Sequence, residues 1–254
     1  MRRGVASVVA GAVLVLPACS AIPSHEPPKP LPPVPPHHVL IVADGAGNFQ
    51  ACSATVRETA LADGWPLDVA TFDWSHGYLR VFADQLDYTW ARERGRDLAG
   101  LVRAQRQARP DLPVSLLGHS AGCAVVLAAA GELPPDTLER IVLLAPSVTS
   151  TYDVRPALRA ARDGMDVFYS RADRLWLGAG AAFVGLSDDP NVARAAGRFG
   201  FEPVTIAPED QPLYAKLRQY EWNPAMERVG NDGGHFGAYA PEHLRRFVLP
   251  LFRY

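Results

Sequence analysis

The pentapeptide Gly118-His119-Ser120-Ala121-Gly122 limits what this chain can fold into more than any other stretch. It follows the apolar run Val114-Ser115-Leu116-Leu117 and precedes the Ala-rich residues 123–130, so it reads as strand, tight turn, helix. A turn that abrupt forces strained backbone angles on the serine. Glycine on either side removes the Cβ atoms that would collide where strand and helix pass closest. The Ser120 hydroxyl then stands at the carboxyl edge of a sheet. The amide of Ala121, at a helix N-terminus, faces any negative charge that develops there.

The rest of the chain supplies the sheet. From His38 onward short apolar runs alternate with longer helix-like stretches, the pattern of βα units and a mostly parallel sheet. Strands are expected at 39–43, 67–72, 114–117, 141–145, 167–169 and 204–206, with helices at about 51–63, 82–108, 121–131, 155–163 and 242–247. The fold class is therefore α/β, with about six strands and helices on both faces. A hydrophobic content of 48% is enough for a sizeable core, and a net charge of −2 gives no footprint for nucleic acid.

Residues before 38 read differently. Met1-Arg2-Arg3, an apolar run over 5–16 and Leu16-Pro17-Ala18-Cys19 describe an export signal too short to span a membrane comfortably. The Leu-x-Ala-Cys ending resembles a bacterial lipobox, which implies cleavage after residue 18, lipidation of Cys19 and a membrane-anchored protein facing the periplasm or cell exterior. Pro17 departs from that pattern, and plain secretion is the alternative. Residues 22–36 hold eight prolines in fifteen positions and form an extended spacer, which at ~3.1 Å per residue reaches about 40 Å. The chain thus divides into a signal (1–18), an anchor and tether (19–37) and a folded domain (38–254).

A serine becomes a useful nucleophile when a base takes its proton and a carboxylate orients that base. Of seven histidines, His25, His37 and His38 belong to the tether or its end, His119 is inside the pentapeptide, His76 is upstream and His243 lies on the last helix. His235 remains, in the glycine-dense loop Gly230-Asn231-Asp232-Gly233-Gly234-His235-Phe236-Gly237. The acid should leave a strand between the two. Asp173 follows the run Asp166-Val167-Phe168-Tyr169-Ser170 and is the first choice, with Asp188 and Asp189 in reserve.

The serine turn, the order Ser120, Asp173, His235 and the strand–helix alternation over 38–254 resemble the α/β-hydrolase fold. The stretch TFDWSHGYLRVFADQLDY is similar to a segment of bacterial α/β-hydrolases whose substrates are undefined. The resemblance implies a serine hydrolase that cleaves an ester or thioester, of a small molecule or a lipid, through an acyl-enzyme on Ser120, without cofactor or metal. A non-catalytic binding module and an acyltransferase using the same residues are the alternatives. It implies too that amides of Ala121 and of the Ala46-Gly47 turn hold the oxyanion. Phe49, Trp74, His76 and His119 are the candidate pocket residues. Only 27 residues separate Ala145 from Asp173, so no large cap is expected there, and 209–229 is expected to form a small wall over the pocket. Cys52 and Cys123 are left either as a disulfide or as two buried thiols.

Overall fold

The computed structural model describes residues 37–174, 186, 188, 194–203 and 207–253, all within the compact unit Val34–Tyr254. Strands β1 (His38–Ala43), β2 (Leu67–Thr71), β3 (Val114–His119), β4 (Ile141–Leu144), β5 (Met165–Tyr169) and β6 (Leu217–Glu221) form one sheet in the order β2-β1-β3-β4-β5-β6. Every pairing is parallel. Every carboxyl end therefore points to the same edge.

β1 and β3 are buried along their whole length, which is why they read as unbroken apolar runs. Their side chains still alternate. Val39, Ile41 and Ala43 enter a core shared with α3 (Tyr88–Ala108), α4 (Gly122–Gly131) and α5 (Arg155–Ala160). Leu40 and Val42 enter the opposite core, with α1 (Ala51–Ala62) and the helical stretch that begins at Pro241. The chain runs outward from β1 to β2, then returns to place β3 on the other side of β1. That reversal opens a crevice beyond the carboxyl ends of β1 and β3, where the Ser120 turn and the Asp44–Phe49 loop emerge.

Two expectations need correction, and one open choice is decided. Residues 204–206 lie outside the described residues, and the sixth strand is β6, inside the stretch read above as a pocket wall. β6 is one of the two edge strands and carries polar side chains: Arg218 donates twice to the buried Asp166 carboxylate at 2.7 Å, and Tyr220 Oη donates to it at 2.9 Å. The long helix over 82–108 is broken into α2 (Val81–Leu86) and α3, because Asp87 leaves helical geometry and caps α3 by accepting from the Trp90 amide at 2.8 Å. Of the two readings left open for Cys52 and Cys123, the structure has buried free thiols: Cys52 belongs to one face of the sheet and Cys123 to the other. Residues 146–172 carry one short helix, α5, and no cap.

Candidate active site

Ser120 has φ 53°, in the left-handed region that a serine occupies at a cost on the order of 1–3 kcal/mol. The turn is held by its own backbone. The Ser120 amide donates to Leu144 O at 3.0 Å, and Ser120 O accepts from the amides of Cys123 and Ser147 at 3.1 Å each. The flanking glycines are steric requirements. A Cβ on Gly122 would lie 2.3 Å from the carbonyl oxygens of Ala43 and Asp44, and one on Gly118 would lie 2.9 Å from Cys123 Cα.

Three side chains from three elements meet at this turn. The Ser120 hydroxyl donates to His235 Nε2 at 2.8 Å, and His235 Nδ1 donates to Asp173 Oδ2 at 2.6 Å. The carboxylate fixes the tautomer that leaves Nε2 free to accept, so the imidazole can take the serine proton. All three residues are buried. The reserve acid Asp188 is elsewhere, accepting from the amide and hydroxyl of Thr149 at 2.7 Å each.

The glycine-dense loop that presents His235 is pinned from behind. Asn231 Oδ1 accepts from the Gly233 amide at 3.0 Å, and Asn231 O accepts from Trp222 Nε1 at 2.8 Å. Gly233, at φ 77°, sits so close to the Trp222 ring that a Cβ would come within 2.8 Å. His119 completes the support: its Nε2 donates to His235 O at 3.1 Å. Burial, reinforced by the neighbouring His235 ring, pushes the His119 pKa down to about 3, so it serves as a neutral donor.

An open cleft of about 150 Å³ lies against Ser120 and His235. Ala46, Phe49 and His119 line it, as do Gln85, Phe236 and Tyr239, which the sequence did not single out. Burial pushes the Tyr239 phenol up to about 12, so it stays protonated. Two expected pocket residues are not among the lining. Trp74 is buried with its Nε1 donating to Asp44 O at 2.8 Å, and His76 stacks on Trp90 while its Nδ1 donates to Asp84 Oδ1 at 2.9 Å. Their loop does sit beside the crevice. Their polar atoms find better partners inside the protein than in the cleft.

The Ala46-Gly47 turn divides in the same way. Gly47 is absent from the lining, and its amide donates to Asp84 Oδ2 at 2.7 Å. Asp84, which lies inside the stretch TFDWSHGYLRVFADQLDY but was not singled out there, is thus a functional candidate; its signal is an acidic residue among Val81, Phe82, Ala83 and Leu86. Among the described residues, no group of three or more His, Cys, Asp or Glu could hold a metal ion, and no helix is long and apolar enough to cross a membrane. Residue 19, the expected lipidation site Cys19, lies outside the described residues.

Residues 89–198 match the serine aminopeptidase S33 family, a stretch that holds the Ser120 turn and Asp173 and stops before His235. No curated protein matches the chain in sequence. Among solved structures it is similar to a putative hydrolase of the α/β superfamily from Xanthomonas campestris pv. campestris, at 19% identity over 84% of this chain and 97% of that one, with a TM-score of 0.45. Esterase PE8 is similar at 13% identity over 84% and 94% of the two chains, TM-score 0.48. An α/β serine hydrolase homologue from Coxiella burnetii is similar at 12% identity over 87% and 88%, TM-score 0.48. With the sheet order and the strained serine turn, the family match supports a hydrolase with the α/β-hydrolase fold.

Proposed function

We propose that this protein is a serine hydrolase that cleaves a carboxylic ester or thioester through an acyl-enzyme on Ser120. The observation that carries the reading is the continuous relay from Ser120 to His235 to Asp173, with both hydrogen bonds in place. His235 takes the serine proton as Oγ attacks the carbonyl carbon, then returns it to the departing alkoxide or thiolate. Water, deprotonated by His235, releases the acid. The Ala121 amide and an amide of the 46–47 turn hold the oxyanion.

The cleft favours a small acyl group with an apolar flank. Its volume of about 150 Å³ is comparable to a cavity that accepts one benzene ring. Phe49 and Phe236 line it while remaining exposed, and the exposed Tyr78 packs edge-on to Phe49 at 5.6 Å. Leu79, bonded through its amide to Gly47 O, continues this apolar rim. With p-nitrophenyl esters, kcat/KM should rise by up to about fourfold per added methylene until the cleft is full, then level off.

The decisive experiment is labelling with an active-site fluorophosphonate. Native protein should be labelled and Ser120→Ala should not, with ester turnover lowered by roughly 10⁴-fold or more. Absence of label on the native protein, or equal label on both, would sink the reading. We further propose that the enzyme works outside the cytoplasm, tethered through lipidated Cys19. Mass spectrometry of the mature N-terminal peptide should find an acylated cysteine, and Cys19→Ala should release the protein from membranes.

A further inference from the structure

The loop beside Ser120 offers two amides to an oxyanion, and the structure distinguishes them. Gly47 is committed on both sides to the segment that follows β2: its amide donates to Asp84 Oδ2 at 2.7 Å, and its carbonyl accepts from the Leu79 amide at 3.0 Å. It has φ 92°, and a Cβ there would come within 2.8 Å of Val81 Cγ2, so only glycine fits the position. Ala46 lines the cleft together with Ser120 and His235, and Gly47 does not.

Asp84 is built as an anchor. It is buried, and besides Gly47 it accepts from Ser75 Oγ at 2.5 Å, from the His76 amide at 2.7 Å and from His76 Nδ1 at 2.9 Å. Four donors on two oxygens leave the carboxylate no freedom to swing away. One side chain therefore ties the loop after β1 to the loop after β2.

We propose that Asp84 is a positioning residue for the reaction proposed above: by holding the Gly47 amide it removes that donor from the cleft and fixes the Ala46 amide as the second arm of the oxyanion hole, with Ala121 as the first. Asp84 touches no reacting atom. It acts through the peptide it orients, so its loss should weaken transition-state binding and spare substrate binding.

The test pairs two variants with one structure. Asp84→Asn keeps the shape but replaces one acceptor oxygen with an NH₂ donor, and its kcat should fall roughly 10- to 100-fold with KM within about twofold of wild type. Asp87→Ala removes the α3 cap and the 3.6 Å contact of Asp87 with His76 Nε2 but leaves all four donors on Asp84, so it should lower stability and leave kcat near wild type. In the wild-type protein inactivated by a p-nitrophenyl phosphonate, the phosphoryl oxygen should accept from the amides of Ala46 and Ala121, with Gly47 still on Asp84. A phosphoryl oxygen bound to the Gly47 amide overturns the assignment even if Asp84→Asn fails to fold. An Asp84→Asn kcat no lower than that of Asp87→Ala overturns it as well. Failure of the phosphonate to label Ser120 is a different result, which takes down the serine-hydrolase reading and this inference together.

Discussion

At the scale of single residues, the site is a sequence of enforced choices. Asp173 accepts from His235 Nδ1, which leaves Nε2 to face Ser120. An amide in place of that carboxylate offers an NH₂ that can reverse the tautomer. Asp173→Asn is therefore expected to lower kcat by about 10⁴-fold with little change in KM, as steady-state kinetics on an ester would show. Ser120, His235 and Asp173 were legible in the sequence because each stands in a local context that few residues share: glycines around the serine, a glycine-dense loop for the histidine, a strand end for the acid. Trp74, His76 and Asp84 were not legible to the same degree. Which way a side chain points from a loop depends on where it finds partners, and here the partners are Asp44 O, the Trp90 ring and the Gly47 amide, each distant in sequence.

At the scale of elements, the elbow is a packing solution before it is a chemical one. Gly122 lets α4 start against the end of β1, and a methyl group there would overlap two carbonyl oxygens at 2.3 Å. Gly122→Ala should cost more than about 3 kcal/mol of stability, read as the shift of a urea unfolding midpoint, because neither oxygen belongs to a flexible side chain. Near-wild-type stability would mean that strand and helix separate easily. The sheet shows where apolar patterning succeeds and where it fails. β1, β3, β4 and β5 were found because nearly all their residues are buried, and the edge strand β2 because its Leu67, Val69 and Ala70 keep an apolar run. β6 was missed because, of its residues LRQYE, only Leu217 is aliphatic, and its Arg218 serves the buried Asp166. Burial alone would raise the Asp166 pKa, but the bonds from Arg218 and Arg140 outweigh it and hold the carboxyl below its usual range.

At the scale of the whole molecule, three buried histidines make the fold sensitive to acid. Burial lowers His38 and His243 to about 4 and His119 to about 3, below the ordinary value of 6.5. The unfolded chain therefore binds more protons than the native one once pH drops below 6.5, and stability must fall with it. Each imidazole costs about 2 kcal/mol by pH 5, since one pKa unit corresponds to about 1.4 kcal/mol. Denaturant unfolding from pH 8 to pH 4.5 should show a plateau above about 7 and a steep loss below 6. A flat profile down to 4.5 would contradict the burial of these rings.

Cys52 and Cys123 bear on where the folded domain can be made. Burial drives both thiols well above their usual pKa, so neither offers a ready thiolate to an oxidant. Their placement on opposite faces of the sheet leaves no bond between them to form or break when the redox poise changes. The domain needs no oxidative folding machinery on either side of a membrane. Melting temperatures with and without dithiothreitol should coincide, and material folded in a reducing cytoplasm should be interchangeable with exported material.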